Sequence, residues 1–493
     1  MCAGRWVSAM DRRRREERYI PRVRLSENGP GLRLPRAPRL KKTLHHDLGL
    51  RLVKLMNVVL VALPFIVVWL TYYIRTVLMF PSVYRWSGII LMFLVLYGFF
   101  ARIYDAFFIS LKRIWEVFYS QVLAIFFADG FMFLVLWLMS NAFPNLIPAV
   151  TAMLCQFALS LVWCALAHRW YFTHYGGQRT GVVYDVRRGV EGLFGRYGMD
   201  KKFDVQFACT VEICLESGMA MLDDLEAVFL CGVHSHERNI ILKHCIANGI
   251  AVYIIPRVGD VIMSGARKIH LFHLPILRVD RYNPSPEYLV GKRAFDILLS
   301  GAMLLLASPV MLATALAIKL CDGGPVFYRQ TRLTQDGRTF RIIKFRSMVV
   351  SAEEDGVARL SSGERDDRIT PVGRVIRACR LDELPQLFNI LGGSMSVVGP
   401  RPEHPEIAAQ YEREMPEFAL RLQAKAGLTG YAQVYGKYNT TPYDKLQMDL
   451  MYISRPNLVE DMKILFATIP ILFSRESTEG VPSERPEDDK PAA

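Results

Sequence analysis

Two adjacent carboxylates, Asp382 and Glu383, are the residues in this sequence best placed to do chemistry. They precede residues 384–391, whose apolar side chains recur at helical spacing and predict a short amphipathic helix that ends at Gly392-Gly393. The positive end of a helix favours ionised carboxylates, which can bind a metal or act as nucleophiles. The alternative is an ordinary acidic helix cap.

Several cations accompany this pair. Arg401 lies between Pro400 and Pro402, which restrict its backbone, and a fixed guanidinium fork matches two phosphate oxygens better than a flexible lysine does. The alternation over 341–348 predicts a strand that carries Lys344 and Arg346. For Arg346 this pattern leaves two alternatives, an exposed strand-edge cation or a ligand contact. Carboxylates, a metal and cations together indicate a site for a pyrophosphate.

Four apolar segments, at 55–73, 89–108, 117–138 and 146–167, come before this region. Each is about 20 residues long, enough to cross a bilayer as a helix. Residues 1–54 contain fifteen Arg or Lys against five Asp or Glu, and basic residues also follow the second and fourth segments. We therefore predict a four-helix transmembrane bundle over 51–170 with both ends in the cytoplasm, after a basic disordered tail over 1–50. Nucleic-acid binding by this tail is disfavoured, because a membrane segment follows it directly.

Two further features of the first half are ambiguous or negative. Asp129 lies inside the third segment, where an acid is either functional or a bundle-facing group satisfied by a neighbouring helix. The nine cysteines are scattered without a Cys-x-x-Cys pair, which indicates reduced thiols rather than a disulfide framework or a zinc site. No secretory signal pattern is visible at the N-terminus.

Residues 178–288 alternate short β-rich runs with helical stretches, which predicts a small α/β module with a parallel sheet. No Gly-x-Gly-x-x-Gly follows its first strand, so the dinucleotide fingerprint is missing. An NAD-dependent sugar nucleotide modifier is therefore disfavoured. A scaffold or regulatory role is favoured over a second active site.

Six motifs between about Gly291 and Phe473 resemble, in order, those of the monotopic phosphoglycosyl transferases, the bacterial sugar transferase family. They are Lys292-Arg-Ala-Phe-Asp296, Gly324-Pro-Val-Phe-Tyr-Arg-Gln330, Lys344-Phe-Arg-Ser-Met348, Leu381-Asp-Glu-Leu-Pro385, Val398-Gly-Pro-Arg-Pro402 and Gly427-Leu-Thr-Gly-Tyr-Ala-Gln433. One such match would be weak, but six in register are specific. The resemblance implies a mixed, mostly α, monotopic catalytic domain over 289–475. In large family members, a Rossmann-like module separates this domain from the membrane bundle.

The apolar run 297–318 has two interpretations. Hydropathy alone makes it a fifth crossing, but that would place 325–493 outside the cell, away from nucleotide sugars. Ser308 and Pro309 lie near its middle, and a proline there bends a helix. In the resembled family this segment is a re-entrant helix, which favours a dip over 294–320 that is broken at Ser308-Pro309.

The resemblance implies transfer of a sugar 1-phosphate from a UDP-sugar to polyprenol (undecaprenyl) phosphate, with release of UMP. This reaction initiates assembly of a membrane-bound glycan: exopolysaccharide, capsule or O-antigen. Asp382 would be the nucleophile that forms a covalent phosphosugar intermediate, and Glu383 would assist with metal or proton handling. Mg²⁺ would bridge Asp382 and the diphosphate.

Further positions match the family's substrate contacts. The phosphate-contacting cations are Lys344, Arg377 and Arg401, and a later acid is Asp449. Four positions depart from the family's common residues, namely Ser394, Ala426, Tyr431 and Tyr435. Changed pocket edges alter which hydroxyls find partners, so the resemblance does not imply which sugar is transferred. A non-catalytic membrane protein is the competing hypothesis, but retention of both carboxylates and three family cations argues against it.

The remaining segments complete the expected organisation. Residues 349–371 are polar and predict a mobile loop, and 476–493 predict a disordered tail. Residues 458–473 are amphipathic, interrupted by Pro470 and too short to span, so we expect them at the membrane interface. The expected location is the bacterial inner membrane, with the catalytic domain on its cytoplasmic face. A homo-oligomer is an open alternative.

Overall fold

The computed structural model describes residues 37–78, 83–110, 112–140, 142–185, 194, 199–271, 273–282, 284–349, 368–436 and 440–472. Most of the predicted basic tail, most of the predicted loop over 349–371 and the predicted tail over 476–493 lie outside these residues. Internal contacts separate two units. Gly176–Ile254, with the residues before Lys54, form one unit, and Lys54–Tyr175 with the residues from Ile255 onward form the other.

Four apolar helices come first in the chain. They are α1 (Ala37–Val68, continued by the π-helical Trp69–Leu78), α2 (Val83–Ile103), α3 (Ile114–Met139) and α4 (Ile147–His174). In the described chain, the helical stretches at His46–Arg75, Ile114–Met139 and Ile147–His174 are long and apolar enough to cross a bilayer, whereas Ser87–Ile103 is shorter. The second predicted segment reached Phe108, but its helix ends at Ile103 because the chain turns there, with Asp105 at φ 53°.

The interior of this bundle is rich in aromatic side chains. Phe65 of α1 stacks on Phe93 of α2 with ring centroids 4.0 Å apart. Asp129 of α3 faces the same interior, where it lines a small cavity together with Trp69 and Tyr73. Asp129 therefore faces the bundle, but neither of its carboxylate oxygens has a hydrogen-bond partner among the described residues, so the predicted satisfaction by a neighbouring helix is not found.

The α/β unit contains one sheet of four strands in the order β2-β1-β3-β4. The strands are β1 (Gln178–Tyr184), β2 (Phe203–Thr210), β3 (Ala227–Cys231) and β4 (Ala251–Ile255). Strand β1 runs parallel to both of its neighbours, as the predicted parallel sheet requires. The connecting helices include α5 (Val211–Glu216) and α6 (Ser235–Ala247). The likeness of this unit to a Rossmann module stays a prediction.

Residues 255–288, which the sequence pattern assigned to the α/β module, group by their internal contacts with the C-terminal part of the chain. Helix α7 (Val258–Ser264) buries Val261 in the core of that part. A hairpin of β5 (Arg267–Leu271) and β6 (Leu274–Arg278) follows. The sequence of this segment is β-rich like that of the α/β module. Its alternation pattern therefore does not show that the segment packs with the C-terminal part of the chain.

The longest helix is α8, Pro286–Asp322, with Pro309 inside it. It too is long and apolar enough to cross a membrane. The structure differs from the predicted break at Ser308-Pro309, since the helix continues through both residues. Pro309 cannot donate to the carbonyl of Leu305, and the Ser308 hydroxyl donates to that oxygen instead at 2.8 Å. The serine therefore compensates for the missing N–H, and the re-entrant placement of α8 stays a prediction.

The region after α8 is built from short elements. The strands are β7 (Phe327–Leu333), β8 (Thr339–Phe345), β9 (Ser396–Val398) and β10 (Gly427–Thr429), and they pair two by two. The helices are α9 (Pro371–Ala378), α10 (Gln386–Leu391), α11 (Pro405–Glu414), α12 (Tyr431–Tyr435), α13 (Pro442–Ser454) and α14 (Leu458–Leu472). Leu387, Val398 and Leu446 lie in their shared core. The mixed, mostly α composition agrees with the prediction.

Helix α14 packs against the membrane bundle. The ring of Phe466 lies edge-on to Phe100 of α2 and Phe127 of α3, with centroids 5.0 and 5.4 Å apart. The sequence predicted a helix at the membrane interface, and the structure shows that the bundle itself covers part of its apolar face.

Candidate active site

Strand β8 brings Lys344 to the site. It pairs with β7 as an antiparallel ribbon. The buried amide of Asn389, in α10, fixes β8 by donating to Arg341 O at 2.9 Å and accepting from Ile343 N at 2.9 Å. Sequence analysis missed Asn389, because an asparagine in an amphipathic helix carries no signal of a strand partner. This amide holds the strand bearing Lys344 beside the helix that follows the carboxylates.

The two carboxylates lie in a short 3₁₀ turn, Leu381–Glu383, one turn before α10. The helix begins at Gln386 with Pro385 as its N-cap, later than the predicted start at 384. Arg380 adopts a left-handed conformation, φ 52°, and this turn redirects the chain out of α9. The buried face also differs from the prediction: Phe388, expected in the core, is 47% exposed.

Arg401 is positioned by the parallel pairing of β9 and β10. Gly399 N donates to Thr429 O at 2.8 Å, and Gly427 N donates to Pro400 O at 2.9 Å. A Cβ on Gly427 would lie 2.1 Å from Gly399 N, so this close approach requires glycine. Two motifs that the sequence presents separately thus form one rigid support for Arg401.

Glu383 is the centre of the charge cluster. Its Oε1 accepts from Lys344 Nζ at 3.2 Å and from Arg401 Nη2 at 3.3 Å. Although burial alone would raise the pKa of Glu383, Lys344 and Arg401 lower it well below its usual range. Glu383 is therefore ionised and already occupied by two cations.

Asp382 has the opposite character. Burial, and then the charge of Glu383, raise its pKa to about 6, against the opposing effects of Lys344, Arg377 and Arg401. The sequence predicted that a helix terminus favours the ionised form of both acids, whereas around Asp382 burial and the charge of Glu383 disfavour it. At neutral pH the carboxylate is ionised but more basic than an exposed aspartate, which suits a nucleophile. The electrostatic contribution of Arg377 places this cation with the predicted cluster.

The carboxylate of Asp449 is not exposed to solvent. It is buried and forms an ion pair with Arg421, whose Nη2 and Nε lie 2.7 and 2.8 Å from Asp449 Oδ2. Arg421 Nη2 also donates to Arg401 O at 2.9 Å. Asp449 is thus linked to the backbone of Arg401 through Arg421, and its substrate contact stays a prediction. Arg421 itself, on the 3₁₀ segment Pro416–Gln423, gave no signal in the sequence.

Arg346 is a second correction. Its side chain is 7% exposed and is ion-paired with Asp322 at the end of α8, so the exposed strand-edge alternative is wrong. A Cβ on Gly324 would collide with this guanidinium, which shows how closely the backbone after α8 covers it. Asp322 at the end of α8 balances the charge of Arg346. Arg346 therefore does not belong to the charge cluster around Glu383.

The motif Lys292–Asp296 joins α8 to the site. Arg293 donates from Nη1 and Nη2 to the carbonyls of Ile390 and Leu391, both at 2.7 Å, and so caps the C-terminus of α10. Asp296, also in α8, accepts from Val397 N at 2.9 Å. Helix α8 is therefore hydrogen-bonded directly to the end of α10 and to strand β9.

Three of the four residues that differ from the family's common residues form hydrogen bonds within this region. Ser394 Oγ donates to Asn389 O at 3.1 Å. Ala426 N donates to Thr334 Oγ1 at 3.2 Å, a bond that the common proline could not make. Tyr431 donates to Glu460 Oε1 at 2.7 Å. Tyr435 lies half-exposed with its ring centroid 5.0 Å from that of Tyr431.

The carboxylates of the site could bind a hard divalent cation if a phosphorylated ligand supplied the remaining oxygen ligands. No three His, Cys, Asp or Glu side chains come together as a metal group in the part of the chain that the structure describes. Mg²⁺ in phosphoryl-transfer sites is commonly held by one or two carboxylates plus substrate phosphates. Because Glu383 is occupied by Lys344 and Arg401, Asp382 is the carboxylate that fits this role.

Comparisons with known proteins place this site in a recognised sequence family. The model described as "Bacterial sugar transferase" matches residues 287–475. The chain is 41% identical over 201 residues to a UDP-glucose:undecaprenyl-phosphate glucose-1-phosphate transferase of Caulobacter vibrioides, covering 39% of this chain and 74% of the relative. It is 36% identical over 204 residues to the exopolysaccharide production protein ExoY of Rhizobium meliloti, covering 38% and 88%.

A longer relative is matched only in part. The chain is 40% identical over 236 residues to a UDP-N-acetylgalactosamine-undecaprenyl-phosphate N-acetylgalactosaminephosphotransferase of Aeromonas hydrophila, covering 47% of this chain. The match spans about half of that relative, 55% of its length. The similarity is thus concentrated in the segment that contains the charge cluster.

Proposed function

Because this chain belongs to the bacterial sugar transferase family, we propose that it transfers a sugar 1-phosphate from a UDP-sugar to undecaprenyl phosphate. The products are UMP and an undecaprenyl diphosphate sugar, the starting unit of a membrane-bound glycan such as exopolysaccharide, capsule or O-antigen. The observation that carries this proposal is the carboxylate pair in which Lys344 and Arg401 hold Glu383 while Asp382 keeps a raised pKa.

In the first half-reaction, a carboxylate oxygen of Asp382 attacks the phosphorus that bears the sugar. The bond between this phosphorus and the bridging oxygen of the diphosphate breaks, and the electron pair leaves on UMP. The enzyme then carries a covalent phosphosugar group on Asp382. Its pKa of about 6 supports this role, because the side chain is ionised at neutral pH yet more basic than an ordinary aspartate.

The cations stabilise charge on the phosphate oxygens. Arg401 uses one nitrogen on Glu383 and its side chain is 46% exposed, which leaves further N–H groups for a phosphate. Lys344 is less exposed, at 22%, and shares the same Glu383 oxygen. Arg377 adds positive charge near Asp382. These groups lie ready before the substrate arrives, so little reorganisation is needed when charge develops.

In the second half-reaction, a phosphate oxygen of undecaprenyl phosphate attacks the same phosphorus. The bond to Asp382 breaks, and the carboxylate is regenerated. The acceptor's hydrocarbon tail requires a site next to the bilayer. Helix α8 meets this need, because it is apolar and is bonded to the site through Arg293 and Asp296.

Asp382 would hold Mg²⁺, and the ion would supply positive charge that offsets part of the negative charge of the diphosphate. The residues of the chain supply one free carboxylate for this purpose, and the substrate's phosphates would supply the other ligands. We propose that α8 bends at Pro309 while its helical bonding continues, so that it dips into the cytoplasmic leaflet of the bacterial inner membrane and returns. This placement keeps the site on the face where nucleotide sugars occur.

The substitution Asp382→Asn tests the proposal. It should abolish UMP release from a panel of UDP-sugars supplied with undecaprenyl phosphate and Mg²⁺, while Glu406→Gln, at an exposed acid in the first turn of α11, should leave UMP release unchanged. Turnover by Asp382→Asn at the wild-type rate would refute the mechanism. Mass spectrometry of the enzyme incubated with UDP-sugar alone should detect a phosphosugar adduct on the peptide that contains Asp382.

A further inference from the structure

A second cavity lies apart from the carboxylate pair. It has a volume of about 320 Å³ and is formed by the β5–β6 hairpin, the start of α8 and the end of α13. Its charged lining consists of Arg267, Arg278, Arg281 and Asp280, and its aromatic lining consists of Tyr282 and Tyr288. The volume is at the lower end of the range of roughly 300–1,000 Å³ for small-molecule sites.

Of the three arginines that line the cavity, only Arg267 has no ion-pair partner among the described residues. Arg267 and Arg278 are direct cross-strand partners in the hairpin, an arrangement that destabilises a strand pair because like charges repel. Asp280 pairs with Arg278 at 2.9 Å, and Asp336 pairs with Arg281 at 2.6 Å. No such ion pair or side-chain hydrogen bond links Arg267 to any of the residues that the structure describes. An anion beside Arg267 would relieve this repulsion.

The cavity has firm walls. Arg455 donates from Nη2 and Nε to Ser264 O at 2.5 and 3.2 Å, which joins the end of α7 to the end of α13. A Cβ on Gly265 would lie 2.5 Å from Ser454 O, so the two segments are in close contact. Tyr282 N donates to Gln423 Oε1 at 3.0 Å on the opposite side. Hydrogen bonds between chain segments therefore hold two sides of the cavity in place.

We propose that this cavity binds a small phosphate-bearing anion at a site separate from the carboxylate pair. Guanidinium groups bind phosphate oxygens in forked geometry, and three of them line this space. The cavity also includes Ser285, the N-cap of helix α8, but this terminus is already capped by the Ser285 side chain and has Glu287 in its first turn, so the proposal depends on the arginines. This inference does not depend on the proposed transferase function.

A ligand in the cavity would affect the contacts that hold the start of α8. Tyr288 lines the cavity, and its hydroxyl donates to Asp461 Oδ2 at 3.0 Å. The same oxygen of Asp461 accepts from Lys292 Nζ at 3.0 Å. A ligand that orders Tyr288 would therefore stabilise the ion pair that holds the start of the apolar helix.

Isothermal titration calorimetry of the full-length protein in detergent, with pyrophosphate as the probe and a metal chelator present, tests this site. Arg267→Ala should weaken one pyrophosphate binding event by about tenfold or more, as expected for loss of a hydrogen bond to a charged group. Lys268→Ala removes the same charge from the next residue, which is exposed and does not line the cavity, and should leave the affinity unchanged. Both side chains are exposed, so neither variant should unfold.

A parallel titration with short-chain phosphatidylglycerol identifies the source of the phosphate. Arg267-dependent binding of pyrophosphate indicates a free anion, and Arg267-dependent binding of the lipid alone indicates a headgroup; either result supports the proposal. Equal affinities in Arg267→Ala and Lys268→Ala for both probes, or no binding of either probe, would overturn it. UMP release by Arg267→Ala, measured separately, shows whether the carboxylate site is intact, so the two proposals can fail independently.

Discussion

Lys292 Nζ and Asp461 Oδ2 lie 3.0 Å apart in the interior, and the side chain of Asp461 is fully buried. Asp461 also accepts from the hydroxyls of Tyr288 at 3.0 Å and Tyr452 at 2.9 Å, so its carboxylate is well supplied with donors. Residues 169 positions apart in sequence thus join the start of α8 to α14. This pair connects the apolar helix to the helix that contacts the membrane bundle.

Removal of Lys292 should be severely destabilising, because the buried charge of Asp461 would keep only neutral hydroxyl donors and no opposite charge. Lys292→Met is expected to lower the free energy of unfolding by about 3–5 kcal/mol. Lys463→Met breaks a partly exposed pair with Glu460, at 2.9 Å, and should cost about 1 kcal/mol or less. Chemical denaturation in detergent micelles measures both. Similar losses in the two variants would contradict the importance of the buried pair.

The raised pKa of Asp382 predicts pH-dependent reactivity. Carbodiimides modify protonated carboxyl groups, so labelling of Asp382 in metal-free protein should decline as pH rises through about 6. Glu383→Gln removes a negative charge that raises this pKa and frees Lys344 and Arg401 to lower it, so its midpoint should move to lower pH. Quantitative peptide mass spectrometry measures the labelling. A wild-type midpoint near pH 4 would be inconsistent with the site as described.

Arg401 and Arg346 should respond differently to substitution, although the sequence made both of them candidates for phosphate binding. Arg401→Gln removes a half-exposed cation at the carboxylates and should reduce kcat/KM by about 10²–10³-fold with a stability loss of about 1 kcal/mol or less. Arg346→Gln removes a buried guanidinium whose partner Asp322 is 28% exposed, and should cost about 1–3 kcal/mol of stability. Steady-state kinetics and thermal unfolding separate these effects. A large kinetic defect in folded Arg346→Gln would restore its predicted substrate contact.

The support of Arg401 should not tolerate a methyl group at Gly427. The Cβ in Gly427→Ala would lie 2.1 Å from Gly399 N and would separate β9 from β10, with a loss of both stability and UMP release. Gly259→Ala is the matched control, because nothing lies within 4 Å of its Cβ position in helix α7, and alanine should stabilise it by about 0.5–1 kcal/mol. Unimpaired folding and turnover in Gly427→Ala would show that the two strands can separate without consequence.

The sequence by itself determined the parts of this protein that depend on local pattern. Apolar runs of about 20 residues predicted the helices α1 to α4 and the apolar part of α8. Of these, α1, α3, α4 and α8 are long enough to span a bilayer, whereas the apolar stretch Ser87–Ile103 of α2 is shorter. The alternation of β-rich and helical runs identified the α/β unit, and the motifs identified the family. Asp382, Glu383, Lys344 and Arg401 were selected because each motif is continuous in the chain.

Only the tertiary structure decided which charges share a site and which are balanced elsewhere. Arg346 and Lys344 lie two residues apart on one strand segment, yet one pairs with Asp322 and the other with Glu383. The pKa of Asp382 likewise depends on burial and on charges brought from three other segments, α9, β8 and the loop after β9. Long-range packing sets these distances, and Coulomb energies depend on distance and desolvation rather than on order in the sequence.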